Sequence, residues 1–457
     1  MLDATPKKIA DRKALRINPA KTCQPIGAIY AALGIHKCLP HSHGSQGCVS
    51  FHRMHLTRHF REPAMASTSS FTEGTSVFGG NANLREAIKN VFQVYKPDCL
   101  AIHTTCLSET IGDDVPGIIR NASDLIPEGK YVIHANTPSY VGSHITGFAN
   151  MTKAMADYLA EKNLPGVSDR LNIIPGFVEP ADIREIKRIL NMFGIKYNLY
   201  PDTSDVMDAP QTGKYSFYPS GGAPIDMIKA SGSAKATICM GPYSSMPAGI
   251  ALDNKCGVEL VSINVPVGIE ATDRFIMKLL ALTGRKTPPE EIINERGRLV
   301  DLMTDTNFQY QGKRVAIFGD PDMVIPMTDF IVSLGLIPVY CLTGTPGERF
   351  VNDIKRICEK VFPDVRVEAQ ADLFLLHQWL KNEKVDLIIG NTYGKYISRA
   401  EGIPLVRFGF PVLDRIAYPY FPNVGYQGAI RLLEKISTAL LDKQDADALD
   451  EDLELVM

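Results

Sequence analysis

Short apolar runs alternate with amphipathic segments along nearly the whole chain, and this alternation constrains the fold more than any other feature. Several runs end in Gly, Pro, Asp or Asn, which are typical of the loops that follow parallel strands. The pattern predicts an α/β protein with mostly parallel sheets flanked by helices. The runs are CLAIHTTC from Cys99, YVIHAN from Tyr131, LNIIPGF from Leu171, ATICMGP from Ala236, VELVSINVPVG from Val258, RVAIFGDPD from Arg314, IPVYCLTG from Ile337, VDLIIGNTYG from Val385 and PLVRFGFP from Pro404.

The length of the chain indicates that it folds into more than one domain. A chain of 457 residues is too long for one ordinary core, and three doubly wound α/β domains are the economical interpretation. We expect a domain over 1–165 that includes the N-terminal segment, a second over 166–310, and a third over 311–457 with an acidic C-terminal tail. Between the runs, apolar residues at helical spacing predict a helix from Asn83 to Tyr95, with Asn83 as its N-cap.

Charge and composition exclude several classes of function. The net charge is −3, so the chain lacks the broad positive field that nucleic-acid binding requires. No run approaches the ~18 apolar residues of a membrane span, and the amino terminus lacks the apolar core of a secretory signal. We therefore expect a cytoplasmic protein that binds neither nucleic acid nor membrane. Neither a dinucleotide fingerprint nor a phosphate loop is present, so this chain is not expected to hydrolyse ATP itself.

Three of the nine cysteines stand at predicted element boundaries. Cys23 lies in NPAKTCQPIGA, Cys48 in HGSQGCVSF and Cys106 in HTTCLSETIGDD, where a strand gives way to a helix. Ligands bind at the carboxyl ends of parallel strands, and a helix amino end stabilises a thiolate. Spacing alone leaves both a ligand role and simple packing open, because iron–sulfur motifs usually show a tight C-x2-C cluster and four ligands. The other cysteines lie in or beside apolar runs and are expected to pack in the core.

Two further polar patterns admit more than one interpretation. Ser139 follows a strand in NTPSYVGSHITG and could supply an oxygen ligand or simply form a turn. Asp301 and Asp305 stand four apart in ERGRLVDLMTD, on one face of a predicted helix, where like charges repel. Either a bound cation or solvent exposure would account for that pair.

The histidines near Cys48 also leave alternatives open. His52, His55 and His59 fall on one side of a predicted helix and could bind zinc, but neighbouring arginines favour a polar helix that packs its apolar stripe. His41 and His43 flank the preceding turn, where they could donate hydrogen bonds to cluster sulfides or be ordinary loop residues.

Ten segments, in order along nearly the whole chain, carry a resemblance to a known family. They are NPAKTCQPIGA, HSHGSQGCVSFHR, RHFREP, TEGTSVFGG, TTCLSETIGDD, NTPSYVGSHITGFANM, ERGRLVDLMTD, FGDPD, IGNTYGKYI and RFGFPVLDR. In these segments the sequence resembles the beta subunits of the molybdenum-iron proteins of nitrogenase, the oxidoreductase that reduces dinitrogen to ammonia.

The resemblance implies three Rossmann-like domains and one half of the P-cluster, an eight-iron, seven-sulfur centre shared with the alpha subunit in a heterotetramer. It makes Cys23, Cys48 and Cys106 thiolate ligands, and Ser139 the serine that can bind iron when the cluster is oxidised. Electrons would arrive from the ATP-hydrolysing iron protein, which docks transiently, and leave for the molybdenum-iron cofactor in the alpha chain. No catalytic residue is expected in this chain.

The resemblance also implies two contact sites. Phe78 in SVFGG is similar to the exposed phenylalanine that packs against the docked iron protein. Arg61, Glu62, Asp301 and Asp305 resemble a site for an Fe or Ca ion between two beta subunits, with the aspartates supplied by the neighbouring copy.

Two departures from the family pattern qualify this interpretation. The chain begins without the long amino-terminal extension of many members, so that part of the interface with the alpha subunit is expected to differ. Phe51 stands where some members have tyrosine. The alternatives are a cofactor-assembly scaffold of the same family, the beta subunit of a vanadium or iron-only nitrogenase, a more distant protochlorophyllide reductase, or a metal-free Rossmann-like binding module.

Overall fold

All neighbouring strands in the described part of the chain run parallel to one another. The computed structural model describes residues 5–9, 17, 20–166, 168–214 and 216–449. These residues fall into two units. The first unit comprises Thr22–Val265 and Ile416–Pro422, and the second comprises Pro266–Arg415 with the described residues up to Lys21 and from Asn423 onward.

Thirteen strands of the described residues form three sheets. The first sheet has the order β2-β1-β3-β4, with β1 (Cys38–His43), β2 (Ser67–Thr68), β3 (Cys99–Thr104) and β4 (Tyr131–Ala135). The second has the order β6-β5-β7-β8, with β5 (Leu171–Ile174), β6 (Tyr197–Leu199), β7 (Ala236–Met240) and β8 (Glu259–Ile263). The third, in the second unit, has the order β11-β10-β9-β12-β13, with β9 (Arg314–Phe318), β10 (Ile337–Leu342), β11 (Arg366–Glu368), β12 (Leu387–Gly390) and β13 (Leu405–Arg407).

Helices connect these strands, as parallel pairing requires. Those of the first unit are α1 (Gln24–Leu33), α2 (Gln46–Phe60), α3 (Glu73–Phe78), α4 (Asn81–Val94), α5 (Cys106–Ile111), α6 (Val115–Asn121), α7 (His144–Leu159), α8 (Pro180–Met192), α9 (Ile225–Ala230) and α10 (Met246–Cys256). Those of the second unit are α11 (Gly268–Thr283), α12 (Glu290–Tyr310), α13 (Pro321–Ser333), α14 (Glu348–Cys358), α15 (Leu373–Asn382), α16 (Lys395–Glu401) and α17 (Gly425–Asp447). Among the described residues, no helix combines the length and the apolar character needed to cross a bilayer.

The fold class predicted from the sequence is confirmed, because each of the nine apolar runs contains a parallel strand. The three sheets lie one in each of the segments 1–165, 166–310 and 311–457. The joints themselves, near 165 and 310, stay a prediction.

The predicted cap of α4 is wrong. The helix begins at Asn81 and its N-cap is Gly80, whose carbonyl accepts the N–H of Leu84 at 2.9 Å. The side chain of Asn83 instead makes tertiary contacts, since it accepts from the Thr75 hydroxyl at 3.2 Å and donates to the Ser69 carbonyl at 3.1 Å. Asn83 therefore holds the preceding segment in place and does not cap the helix.

Candidate functional site

Cys48, Cys106 and Ser139 each follow one of three neighbouring strands of the first sheet. β1 and β3 pair in register up to His43 opposite Thr104, and β3 and β4 pair up to His103 opposite Ala135. Because these strand ends are aligned, the turns that follow them leave the sheet side by side. Cys48 then lies in the first turn of α2, Cys106 begins α5, and Ser139 lies in the loop before α7.

The turns that carry Cys48 and Cys106 touch each other. A Cβ atom added to Gly44 would lie 2.1 Å from Oγ1 of Thr105, so only glycine allows this approach. The Thr105 hydroxyl donates to the His43 carbonyl at 3.1 Å, and Thr105 also caps α5 in a reciprocal pair with Ser108. The residue before Cys106 is thereby held against the residues that lead into α2.

Cys23 reaches the same edge of the sheet through the packing of α1 on α7. It is the N-cap residue of α1, with extended backbone angles (φ −76°, ψ 158°). A Cβ atom on Gly27 of α1 would lie 1.7 Å from the carbonyl oxygen of His144, so the two helix backbones are in direct contact. The His144 N–H donates to the carbonyl of Thr22 at 3.0 Å. The amino end of α1 is therefore fixed beside the amino end of α7.

Gln24 ties Cys23 to the loop that contains Ser139. Its side chain is 2% exposed, and Nε2 donates to the carbonyls of Pro138 and Val141 at 3.0 Å each. Its Oε1 accepts from Nδ2 of Asn150 at 3.3 Å. Sequence reasoning missed this residue, because a glutamine that follows a helix N-cap shows no sign of its distant partners. The structure thus brings all four predicted ligands to one edge of the first sheet.

The three predicted thiol ligands differ from the other cysteines in exposure. All nine cysteines are free, and Cys23, Cys48 and Cys106 are half-buried, whereas the remaining six are buried. Those six are Cys38, Cys99, Cys239, Cys256, Cys341 and Cys358. The chain therefore presents toward one edge of the sheet three thiols that a partner group can reach.

The electrostatic environment of Cys23 includes the other two thiols. Burial raises the pKa of Cys23 to about 11; a hydrogen bond from the Ile26 backbone opposes this shift, and negative charge on Cys48 and Cys106 adds to it. Three thiolates so placed would repel one another unless a cation or an iron cluster lay between them. Within the described residues, no three His, Cys, Asp or Glu side chains are grouped closely enough to hold a single metal ion.

Two of the three histidines of α2 contact different partners. Nε2 of His52 lies 3.3 Å from Sγ of Cys23, and burial lowers the pKa of His52 to about 4, so the ring is neutral. His59, two turns later, contacts both carboxylate oxygens of Glu179 at 3.0 Å. His52 and His59 contact different partners, which favours the packing role of this helix over the zinc alternative.

His41 and His43 are strand residues, not loop residues. Both are fully buried in β1, and the two ring nitrogens of His41 contact the hydroxyls of Ser67 and Ser69 at 2.9 and 2.8 Å. His43 contacts Ser69 at 2.8 Å and the carboxylate of Asp113 at 3.1 Å. Their N–H groups are thus committed within the protein and cannot serve cluster sulfides.

The remaining predicted residues lie on or beside other segments of the chain. Phe78 ends α3 and is 90% exposed. Arg61 follows α2 in a left-handed conformation (φ 67°) and is exposed, and Glu62 beside it is half-buried. Asp301 and Asp305 are exposed and one turn apart on α12, in the second unit.

The fold and the site define a class of protein: a parallel α/β chain that gathers three accessible thiols and a serine at one sheet edge. The family model for nitrogenase component 1 type oxidoreductases matches residues 23–441. The nitrogenase molybdenum-iron protein beta chain of Clostridium pasteurianum is 55% identical over 100% of both chains, and that of a Nostoc species is 40% identical over 95% of this chain and 85% of its own. A solved chain described as Nitrogenase Cp1 at pH 6.5 matches with a TM-score of 0.98 at 55% identity, with 100% of each chain covered. The chain belongs to the family of nitrogenase component 1 type oxidoreductases.

Proposed function

We propose that the chain is the beta subunit of a nitrogenase molybdenum-iron protein, and that it holds half of a P-cluster shared with an alpha subunit. The observation that carries this proposal is the selective exposure of Cys23, Cys48 and Cys106, since they alone among the nine cysteines are half-buried and share one sheet edge. Three thiolates are an incomplete set for an iron–sulfur centre, which supports a second chain that supplies the other ligands.

The residues of this chain bind and orient the shared centre. Cys23 is the N-cap residue of α1, Cys48 lies in the first turn of α2 and Cys106 begins α5. Burial favours the protonated thiol of Cys23, so iron binding would have to displace its proton. Ser139, on the loop that Gln24 holds, would add an oxygen ligand. When bound, the eight-iron, seven-sulfur centre supplies electron transfer. The fully buried strands β1 and β3, which lead to the turns that would hold it, would help to keep water from it.

The proposed partners follow from the same assignment. The alpha subunit, in a heterotetramer of two alpha and two beta chains, completes the ligand set and carries the molybdenum-iron cofactor where dinitrogen is reduced. The iron protein docks transiently, with ATP hydrolysis, against the surface around Phe78, where a ring that is 90% exposed can bury its area on a partner. Cytoplasmic location fits the nine free cysteines.

We also propose a site for an Fe or Ca ion between two beta subunits. Its residues are Arg61, Glu62, Asp301 and Asp305. The exposed pair of carboxylates on α12 supports it, because a bound Fe or Ca ion would offset their mutual repulsion. The assembly-scaffold and the vanadium or iron-only alternatives are not favoured, because the relatives at 55% and 40% identity are molybdenum-iron beta chains.

The test is the iron and labile-sulfide content of the complex purified from its native host, with EPR of the oxidised state. Cys106→Ala should lose the P-cluster signal while the molybdenum centre survives. Cys99→Ala is the matched control, since Cys99 is fully buried in β3, the strand that leads to Cys106. Unchanged cluster content in Cys106→Ala would show that this thiol is structural and that the proposed site is wrong.

A further inference from the structure

His52 makes a side-chain contact with a proposed cluster ligand. It lies on α2 four residues after Cys48, and its Nε2 approaches Sγ of Cys23, at the start of α1, to 3.3 Å. One side chain thus links the two helix ends that carry two of the three thiols. This distance is within the range of an N–H···S hydrogen bond.

The surroundings of the ring determine which atom donates. A neutral imidazole carries one N–H, and a thiolate that binds iron can only accept. Within the described part of the chain, Nδ1 of His52 has no hydrogen-bond partner and is buried. A proton on Nδ1 would therefore be a buried donor without an acceptor, whereas a proton on Nε2 points at Cys23.

Burial makes this contact effective. His52 is 3% exposed, so water does not compete for its Nε2–H. Hydrogen bonds to ligand sulfurs are among the features that set the reduction potential of iron–sulfur centres, because they stabilise the more negative, reduced form. The loss of such a bond therefore makes the centre harder to reduce.

We propose that His52 is a positioning residue, which donates its Nε2–H to the Cys23 thiolate, orients that ligand and raises the reduction potential of the centre it binds. This inference rests on the proposed function and adds to it a determinant of potential that lies outside the ligand set.

The test is an EPR-monitored redox titration of the purified heterotetramer carrying His52→Gln, His52→Asn or His52→Phe. Glutamine places an N–H near the position of Nε2, asparagine is too short to do so, and phenylalanine fills the space without a donor. We expect the Asn and Phe variants to shift to a more negative midpoint potential and the Gln variant to stay near wild type. Iron content is measured for each protein.

A matched control tests whether any buried histidine has this effect. His103 is fully buried on β3 and its Nε2 contacts the Ser42 hydroxyl at 2.7 Å, so His103→Asn should leave the potential unchanged. If the Asn and Phe variants fail to load iron while the Gln variant loads fully, the need for a donor at this position is supported directly.

Two results would overturn the inference. One is an equal midpoint potential in the wild type and in the fully loaded Asn variant. The other is equal loss of iron from the Gln and Asn variants, since glutamine keeps the donor. Failure of the proposed function is a separate outcome, because it appears as wild-type protein without the cluster or as full cluster content in Cys106→Ala.

Discussion

Replacement of Gln24 by methionine should loosen the loop that carries Ser139. Methionine has nearly the same length and fills the same space, but it cannot donate the two hydrogen bonds that Nε2 makes to Pro138 and Val141 at 3.0 Å. The longer 3.3 Å bond from Asn150 is also lost, but that amide keeps its bond to the Asn136 carbonyl. Each bond that Nε2 donates contributes about 1 kcal/mol net. Both acceptors belong to residues that are at least partly exposed, so water can replace the lost donor and no larger penalty is added. The local free energy of opening should fall by about 2 kcal/mol, or about 30-fold in the opening equilibrium.

Amide hydrogen exchange of the intact complex measures this change at the His144 N–H, which bonds to the Thr22 carbonyl at 3.0 Å beside the loop. Its exchange should become about 30-fold faster under conditions where closing outpaces exchange. Gln378→Met is the matched control, because Gln378 is also 2% exposed and donates to two backbone carbonyls, those of Pro6 and Lys8, in the second unit. Exchange at His144 that changes equally in both variants, or in neither, would refute the assignment of Gln24 as the link.

Two further predictions concern docking and pH. Phe78→Ala should weaken iron-protein binding about 30-fold in Kd, as loss of a hot-spot aromatic of about 2 kcal/mol does, with unchanged thermal stability because the ring is 90% exposed. Phe308→Ala, 81% exposed on α12, should leave that Kd within about threefold, and an equal loss in both variants would contradict the docking assignment. Burial, and to a smaller extent the nearby charge of His43, lower the pKa of His41 to about 3. As pH falls below about 6.5, His41 is protonated in the unfolded chain but not in the folded chain, so the folded state loses stability. Between pH 7 and pH 5, His41→Gln should lose about 2 kcal/mol less than wild type in denaturant unfolding, and parallel curves would show that His41 does not titrate as described.

The parallel α/β class could be predicted because buried parallel strands are continuous apolar runs. β1 was not predicted because it is not a continuous apolar run. Its sequence, CLPHSH, is half polar, yet all six residues are buried. The histidines of β1 form hydrogen bonds with the hydroxyls of Ser67 and Ser69, and the local sequence does not predict these partners. The other strands that the runs did not indicate, β2, β6 and β11, have two or three residues and lie at sheet edges.

The residues of the candidate site also separate into those that the sequence could predict and those that it could not. Cys106 could be located at a strand end because the apolar run of β3 precedes it. The position of Cys23 could not be derived, since it depends on the contact of Gly27 with the His144 backbone across more than one hundred residues of sequence. The roles of Gln24 and His52 could not be predicted either, because their partners depend on how α1, α2 and α7 pack. Long-range packing, rather than local pattern, decides which polar residues serve the site.

The wide separation of the three thiols along the chain bears on how the centre is assembled. Cys23 and Cys48 are 25 residues apart, and Cys48 and Cys106 are 58 residues apart, so a newly synthesised chain holds no short chelating peptide. Closing two such loops around iron in an unfolded chain would cost roughly 6 kcal/mol of chain entropy. In the folded chain, the alignment of β1 and β3 closes the loop between Cys48 and Cys106, and the packing of α1 on α7 closes the loop to Cys23. If the three thiols bind the proposed cluster, a folded, iron-free chain would therefore accept it at a lower entropic cost than an unfolded chain.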